Sequence, residues 1–218
     1  MASRSAEPER RLPRLDDDLT TEFSELEDEA EVTDAIFRGD FGGTEVHFVS
    51  LRQCRLEEVL LIGSRVIRAS ITDCVFTDCN LSGALLEDCR LERVEFRRCR
   101  ISGIQAPKTQ FTDVAFVDCK ADAASFRMTT WERAEFRDCN LVESDFYSAK
   151  LPETRLHGCD LARADFSKAE LAGSRMQRSN LTDLRGGESL RGVTISSDQL
   201  IPAALAVFTS MKIRIDDD

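Results

Sequence analysis

The sequence predicts an all-β solenoid built from square coils, each made of four sides of equal length. Every fifth residue from Ile36 to Leu181 is apolar, at 30 positions without a slip of frame. The residue two places earlier is Gly, Ala, Ser, Thr, Cys or Val at 28 of these 30 positions, and only Asp34 and Ile104 depart. A chain that turns a corner at this interval directs one large and one small side chain per side toward a common axis. Stacked coils then share one core.

A period of five excludes the two ordinary elements as the source of this pattern. On an α-helix, apolar residues five apart would cover every face. On a flat strand they would alternate between the two faces, and half of them would stay in water. Neither element buries the repeated apolar positions, whereas a square coil does.

Residues at equivalent positions of successive predicted coils match in type, which supports the four-sided coil. One column is aromatic and a second consists of thiols; the members are Phe76, Phe96, Phe116 and Phe136, and Cys79, Cys99, Cys119, Cys139 and Cys159. We expect both columns to be structural core ladders, in which the rings stack. All eight cysteines fall at the small inward position, where a thiol acts as a small apolar group. Parallel side chains in a ladder do not point toward one another, so disulfides are not expected. The sequence has no C-x-x-C pair, so a zinc site is not expected either.

The repeat resembles that of the pentapeptide repeat proteins, whose consensus is Ala, then Asp or Asn, then Leu or Phe, then two variable residues. Close matches are Cys79-Asn80-Leu81, Cys139-Asn140-Leu141, Ser144-Asp145-Phe146, Cys159-Asp160-Leu161, Ala164-Asp165-Phe166 and Ser179-Asn180-Leu181. The resemblance implies a right-handed quadrilateral β-helix over residues 36–184, which is about seven and a half coils. One rung departs from the size pattern, at Ile104, Ala106 and Pro107, and we expect a bend or a distorted rung there.

The first 35 residues are expected to precede the solenoid. Residues 1–18 combine few apolar side chains with mixed charge and are predicted to be a disordered leader. Residues 19–35 are acidic, and Leu19, Phe23 and Leu26 recur at helical spacing. This segment is either an acidic leader or a short amphipathic helix that covers the first coil.

Residues 185–218 follow a different pattern and are predicted to form a C-terminal cap with a helix and a short strand. Ser196, Ser197 and Asp198 are candidate N-caps. They precede an apolar face with helical spacing, formed by Ile201, Leu205, Phe208 and Met211. This face either covers the last coil or joins a second copy in a homodimer. The alternation in residues 212–215 predicts the strand.

Catalytic chemistry finds no support in the sequence. His47 and His157 both occupy outward repeat positions, without a nucleophile or metal ligand at a known spacing. No apolar run is long enough for a membrane span, and no signal peptide is recognisable. We therefore expect a non-enzymatic cytoplasmic protein with no cofactor, which binds a protein partner and neither nucleic acid nor membrane.

The distribution of charge bears on the identity of that partner. Of the formal net charge of −11, residues 1–35 carry −8, residues 36–184 carry −2 and residues 185–218 carry −1. Some dimeric pentapeptide repeat proteins imitate duplex DNA, occupy the DNA-binding saddle of DNA gyrase or topoisomerase IV, and lower quinolone sensitivity. The resemblance thus implies a DNA-mimic modulator or protector of DNA gyrase, and DNA mimicry requires rows of carboxylates.

The alternative is a generic protein–protein interaction scaffold of unknown partner. The near-neutral rod favours it, because basic residues occupy outward positions: Arg93, Arg97, Arg98, Arg100, Arg127, Arg133 and Arg137. Candidate contact residues of such a scaffold are Phe48, Ile62, Ile67 and Val117. A continuous acidic stripe along one face would favour the DNA mimic, and mixed charge would favour the scaffold.

Overall fold

The computed structural model describes residues 10–15, 19 and 25–213, together with the backbone of residues 21–23. The chain forms a parallel β-solenoid of about eight turns with a short C-terminal helix. The fold class expected from the repeat, a right-handed quadrilateral β-helix, is therefore confirmed. Large repeat residues such as Phe96, Leu141 and Phe166 are buried along its axis.

The described residues form 17 short strands, one 11-residue α-helix and two 3₁₀ turns. The strands are β1 (Thr21–Phe23), β2 (Glu31–Thr33), β3 (Ala35–Phe37), β4 (Glu45–His47), β5 (Ser50–Arg52), β6 (Arg55–Glu57), β7 (Arg65–Ile67), β8 (Ser70–Thr77), β9 (Leu85–Glu87), β10 (Arg90–Arg97), β11 (Gln110–Thr112), β12 (Ala115–Val117), β13 (Thr130–Glu132), β14 (Glu135–Arg137), β15 (Arg155–His157), β16 (Arg175–Gln177) and β17 (Thr194–Ile195). The 3₁₀ turns are Gly187–Leu190 and Ser197–Gln199, and the helix α1 is Leu200–Ser210.

Strands one coil apart pair in parallel, with equivalent repeat positions in register. Phe96 in β10 lies beside Phe76 in β8 and Phe116 in β12. Single bridges such as Leu60 to Asn80 continue the same register on another face. Because each coil bonds to its two neighbours, the amides and carbonyls around the buried core are satisfied without long strands.

Each corner is made two residues after the large inward residue, where the backbone enters the left-handed region. Asp73, Arg93 and Ala123 occupy such corners with φ of 54°, 53° and 53°, and Gly63 occupies another with φ of 63°. This region is less favourable for residues other than Gly and Asn. The ladder bonds on either side hold the corner in place and offset that cost.

The Asp or Asn of the consensus has a local structural role. The side-chain oxygen of Asn140 accepts the amide N–H of Val142 at 3.0 Å, and Asp145 accepts that of Tyr147 at 2.8 Å. The amides of Val142 and Tyr147 make no backbone hydrogen bond to a neighbouring coil. The Asp or Asn side chain therefore accepts the hydrogen bond of the one backbone amide near the corner that does not bond to the next coil.

The rung at Ala106 is regular, contrary to the expected bend. Ile104 and Ala106 are both enclosed in the core. The Ala106 amide donates to the Ser125 carbonyl at 3.0 Å, and the Pro107 carbonyl accepts from the Asp88 amide at 3.0 Å. Pro107 occupies the position whose amide lies outside the ladder, so its missing N–H removes no bond between coils.

The frame changes by one residue at the start of the rod, which corrects the expected origin of the repeat. Phe37 and Val32 are buried, whereas Ile36 is only partly buried. Phe37 pairs with Leu56, so this coil is one residue shorter than those that follow. Ala35 thus occupies the small inward site, and Asp34 forms the corner with φ of 56°. This shift explains why Asp34 departs from the small-residue pattern.

The solenoid also begins earlier than predicted, so residues 19–35 are not a separate leader. The helical alternative for residues 19–35 is wrong, because residues 21–23 form β1, which pairs in parallel with β3. Leu19 is buried and Leu26 packs against the core cluster at this end. An open coil offers unpaired amides and carbonyls, which a strand satisfies and a helix does not. Residues 1–9 and 16–18 of the predicted disordered leader lie outside the described residues.

The C-terminal segment caps the rod through small residues rather than through its large apolar ones. Ser196 and Gln199 form a capping box, and the Gln199 side chain donates to the Ser179 carbonyl at 2.6 Å. Helix α1 then packs through Ala203 and Ala206, which are buried. Lys212 and Ile213 do not form the expected strand, and residues 214–215 lie outside the described part of the chain.

Candidate binding surfaces

Arginine and carboxylate side chains alternate along one corner of the rod. The Arg93 guanidinium donates to both oxygens of Asp73, at 2.7 and 2.8 Å. Two coils further on, Arg133 makes the same bidentate contact with Asp113, at 2.6 and 2.9 Å. Burial would raise the pKa of the Asp113 carboxyl, but hydrogen bonds from Arg133 and from the Arg11 amide hold it below its usual range.

Residues 10–15, which we call the strap, lie against this corner. The Arg11 amide donates to Asp113 and the Arg14 amide donates to Asp73, both at 3.0 Å. The predicted disorder of residues 1–18 is therefore wrong for this stretch. The strap covers a surface that we call the groove, between the corner column and the next outward column; these consist of Asp73, Arg93, Asp113 and Arg133, and of Val75, Glu95, Ala115 and Glu135.

The side chain of Arg10 occupies a slot in the groove. Its guanidinium lies 3.6 Å from Glu95 and 3.7 Å from Glu135, and only 7% of the side chain is exposed. Glu95 and Glu135 stand one coil on either side of Ala115. Ala115 is fully buried although it occupies an outward repeat position. The small side chain of Ala115 leaves space between two carboxylates, which is the chemistry that a guanidinium requires.

A second corner carries a row of exposed carboxylates, which we call the acidic row. Its members share one repeat position in different coils: Glu58, Asp78, Asp118 and Asp138. Arg98 interrupts the row and binds both oxygens of Asp78, at 2.8 and 2.7 Å. The other faces show mixed charge, and ion pairs there include Arg97 with Glu95 and Arg127 with Asp145.

The predicted apolar face of the C-terminal helix points to solvent. Ile201 is 72% exposed and Leu205 54%, and Phe208 and Met211 are also exposed. The prediction that these four residues, the helix face, cover the last coil is therefore wrong. The reason is steric, since Gly187 lies directly under the backbone of Ala206 and holds the helix on its alanine side.

The candidate scaffold contacts are scattered rather than joined in a patch. Phe48 is 50% exposed and lies under the Arg68 guanidinium, 5.4 Å from the ring centroid. Ile62 is exposed on a different face, and Ile67 and Val117 are half-buried. Single exposed apolar residues are common on protein surfaces.

The two core ladders lie on the axis. Phe76, Phe96, Phe116 and Phe136 stack with centroids 4.6, 4.7 and 4.9 Å apart. The thiols of Cys79, Cys99, Cys119, Cys139 and Cys159 are free, buried, and within hydrogen-bonding distance of backbone carbonyls. Burial raises the pKa of the Cys89 thiol to about 11, which keeps it protonated and unreactive near neutral pH.

The two histidines lie on different coils of the rod. His47 Nδ1 lies 3.3 Å from an oxygen of Asp28, and His157 lies on a different coil in β15. Within the described ranges, no group of three or more His, Cys, Asp and Glu side chains is placed to hold a metal ion. None of the helices in those ranges is long and apolar enough to cross a membrane.

Sequence reasoning missed the strap and the ion pairing of the outward arginines. Arg93, Arg98 and Arg133 read as a basic surface in the sequence, yet each is paired with an Asp one coil earlier. The available signal was the spacing of one full coil between Asp73 and Arg93 and between Asp113 and Arg133. In the strap, the interval from Arg11 to Arg14 matches the rise of two coils.

Comparison with known proteins agrees with the architecture. A family model described as a pentapeptide repeat region matches residues 49–126 and 89–166, which together span more than half of the chain. No curated protein matches the sequence.

Two trypsin-treated variants of QnrB1, a plasmid-mediated fluoroquinolone resistance protein, are similar in fold. Their TM-scores are 0.54 and 0.56 at 18% identity, over 87% and 90% of this chain and 99% of each QnrB1 chain. HetL, a pentapeptide repeat protein of the cyanobacterium Nostoc involved in heterocyst differentiation, matches at 20% identity and a TM-score of 0.41, over 81% of this chain and 83% of HetL. The repeat, the coil geometry and the family match agree, and the chain belongs to the pentapeptide repeat proteins.

Proposed function

We propose that this chain is a non-enzymatic cytoplasmic protein that binds a protein partner along its rod, and that the partner is DNA gyrase. The observation that carries the proposal is the acidic row, four exposed carboxylates at one corner of the rod, which Arg98 interrupts once by pairing with Asp78. Glu58 and Asp78 are one coil apart, as are Asp118 and Asp138, which is about 4.8 Å, and one DNA strand carries a phosphate roughly every 3.4 Å of axis. Within each of these two pairs the spacing of charges is therefore of the same order as that of phosphates.

The charges on the rest of the surface limit how much of the rod can imitate DNA. Arginine–carboxylate pairs such as Arg133 with Asp113 neutralise much of the other corner. A DNA-like charge pattern is therefore confined to one edge. The similarity to QnrB1 supports the fold of the rod alone, and the gyrase proposal depends on the acidic row.

A dimer through the helix face completes the proposed binder. The face is apolar, exposed and located at the end of the rod, so two copies joined there would form a longer rod with two acidic rows. Replacement of Phe208 by Glu, which places a charge in the centre of this contact, should convert a dimer to a monomer in sedimentation equilibrium. A monomeric wild type would remove the dimer from the proposal.

Supercoiling of relaxed plasmid by gyrase, with and without a quinolone, tests the proposal. The wild-type chain should inhibit supercoiling or protect gyrase from the drug in a concentration-dependent manner. A variant with the acidic row neutralised, Glu58→Gln, Asp78→Asn, Asp118→Asn and Asp138→Asn, should lose the effect by about tenfold or more, because charge complementarity governs such association.

A matched control removes four exposed carboxylates elsewhere: Asp88→Asn, Glu153→Gln, Glu170→Gln and Asp183→Asn. It changes the net charge equally and should retain activity. Equal loss in both variants would show that net charge, not the row, is responsible. Absence of any effect at large molar excess would reject gyrase and favour the alternative, a scaffold with mixed-charge faces for a different protein.

A further inference from the structure

We propose that the groove is a binding site for an extended, arginine-containing segment of a partner protein, and that the strap occupies this site in the free chain until the segment displaces it. The inference specifies a surface for the protein-binding function proposed above and rests on it. It concerns the corner at Asp73 and Asp113, which is separate from the acidic row.

The first support is the match between an extended backbone and the rise of the coils. Asp73 and Asp113 are two coils apart, which is about 9.6 Å. Arg11 and Arg14, whose amides they accept, are separated by about 10 Å of extended chain. Main-chain amides are common to all peptides. Asp73 and Asp113 can therefore accept hydrogen bonds from any extended segment with backbone N–H groups three residues apart.

The second support is the slot for a guanidinium. Glu95 and Glu135 flank Ala115, and Arg97 and Arg137 hold the two carboxylates from outside at 2.7 and 3.3 Å. These contacts orient both carboxylates before any ligand enters. A preorganised pair of carboxylates favours a planar cation with several donors, which is arginine rather than lysine.

The third support is that the strap fills the slot imperfectly. Arg10 Nε and Nη1 are buried without a hydrogen-bond partner among the described residues. The contacts of Arg10 with Glu95 and Glu135 are longer than hydrogen bonds. A buried donor left unsatisfied carries a desolvation cost. A segment whose arginine reached these carboxylates directly would therefore bind better than the strap does.

An open cleft beside the strap defines the next part of the ligand. The cleft has a volume of about 420 Å³ and lies between the strap residues Leu12, Pro13 and Leu15 and the side chains of Val75 and Thr77. Leu12 remains 64% exposed, so it does not fill this space. The partner segment consequently carries a larger apolar side chain two residues after its arginine. The slot presents the carboxylates of Glu95 and Glu135, which repel the phosphates of a nucleic acid and favour a cationic peptide.

The test is a titration of the full chain with a fluorescein-labelled peptide that has the sequence of residues 9–15, followed by fluorescence anisotropy. In an Arg10→Ala variant the groove is intact but the strap has lost its guanidinium. This variant should bind the peptide at least about tenfold more tightly than the wild type, whose strap competes at a roughly millimolar effective concentration. Arg65→Ala, the same change on another face, should bind like the wild type.

Further changes in the Arg10→Ala background locate the peptide. Ala115→Lys fills the slot, and Glu95→Gln with Glu135→Gln removes its charge without a change of volume. Each should weaken peptide binding by about tenfold or more. The proposal is overturned if Arg10→Ala binds no better than the wild type, or if neither groove variant weakens binding. The titration contains no gyrase, so its failure and that of the gyrase assay are distinguishable.

Discussion

Replacement of Phe116 by Leu should measure how much the stacked aromatic column contributes to the stability of the rod. Phe116 is buried in the middle of the column, with Phe96 at 4.7 Å and Phe136 at 4.9 Å and the rings nearly parallel. Leucine retains an apolar side chain but loses both stacked neighbours. At roughly 0.5–1.5 kcal/mol for each stacked pair, the loss from stacking is about 1–3 kcal/mol beyond the area term, and the loss of the tilted contact with Phe126 and the edge contact with Trp131 adds to it.

The same change at Phe76 is the matched control. Phe76 ends the column and stacks only on Phe96, at 4.6 Å, so Phe76→Leu should lose roughly 0.5–1.5 kcal/mol from stacking. Urea denaturation provides the free energies of unfolding. The fluorescence of Trp131, the single tryptophan of the chain and itself buried against Phe111, reports the transition.

The position along the rod also affects the result, because terminal coils unfold more readily than central ones. A double-mutant cycle of Phe96→Leu with Phe116→Leu separates the pair from its position, and the coupling should be about 0.5–1.5 kcal/mol. A coupling indistinguishable from zero, or a smaller loss at Phe116 than at Phe76, would refute the assignment of stability to stacking.

Three further predictions concern the corner beneath the strap, the C-terminal cap and the thiols. Asp113→Asn should destabilise the chain at neutral pH by about 1–3 kcal/mol, since a hydrogen-bonded charge is lost. The pKa of Asp113 is lower in the folded chain than in the unfolded one, so its contribution is complete above about pH 4 and is lost as the pH falls through the folded value; urea titrations at several pH values should show a shallower acid limb in the variant. Gly187→Ala should detach helix α1, because an added Cβ would lie 2.3 Å from the backbone of Ala206, and hydrogen exchange over residues 200–210 should become faster. The eight cysteines should resist a thiol reagent at pH 8 in the folded chain and all react after unfolding, because all eight thiols are buried and inaccessible to the reagent.

Each of these has a control or a contrary outcome. An acid limb that is unchanged in Asp113→Asn would mean that another carboxyl governs acid unfolding. Gly83→Ala is the control for the cap, because Gly83 has open space around it and Ala123 already adopts the same corner conformation. Rapid labelling of several thiols in the folded chain would show that the solenoid opens under native conditions.

The five-residue period predicted the coil because five residues form one side of a square coil. One large and one small inward residue on each side suffice to specify a square, and Phe96 and Cys99 follow this rule without reference to distant residues. The helix face was also visible in the sequence as a set of apolar residues. Its orientation was not, because the direction depends on how closely Gly187 and Ala206 approach one another.

The candidate site was harder to predict because it joins parts of the chain that share no local pattern. The contact of Arg11 with Asp113 spans 102 residues. Composition around Arg10 and Arg14 is that of a solvated tail, and nothing local distinguishes a tail from a docked segment. The one-residue shift of the repeat frame at Phe37 could not be predicted from the sequence either. Ile36 and Phe37 are both apolar, so either residue fits the repeat.

The strap fixes the number of coils that can lie between Asp73 and Asp113. Coils bond only to their neighbours, so a duplication or deletion of one whole coil between Glu135 and Leu181 changes the length of the rod and preserves every face. A deletion of one coil between Asp73 and Asp113 also preserves the faces, but it halves the distance that the strap must span from Arg11 to Arg14. Evolution by gain and loss of coils is therefore free toward the C-terminus and constrained beneath the strap.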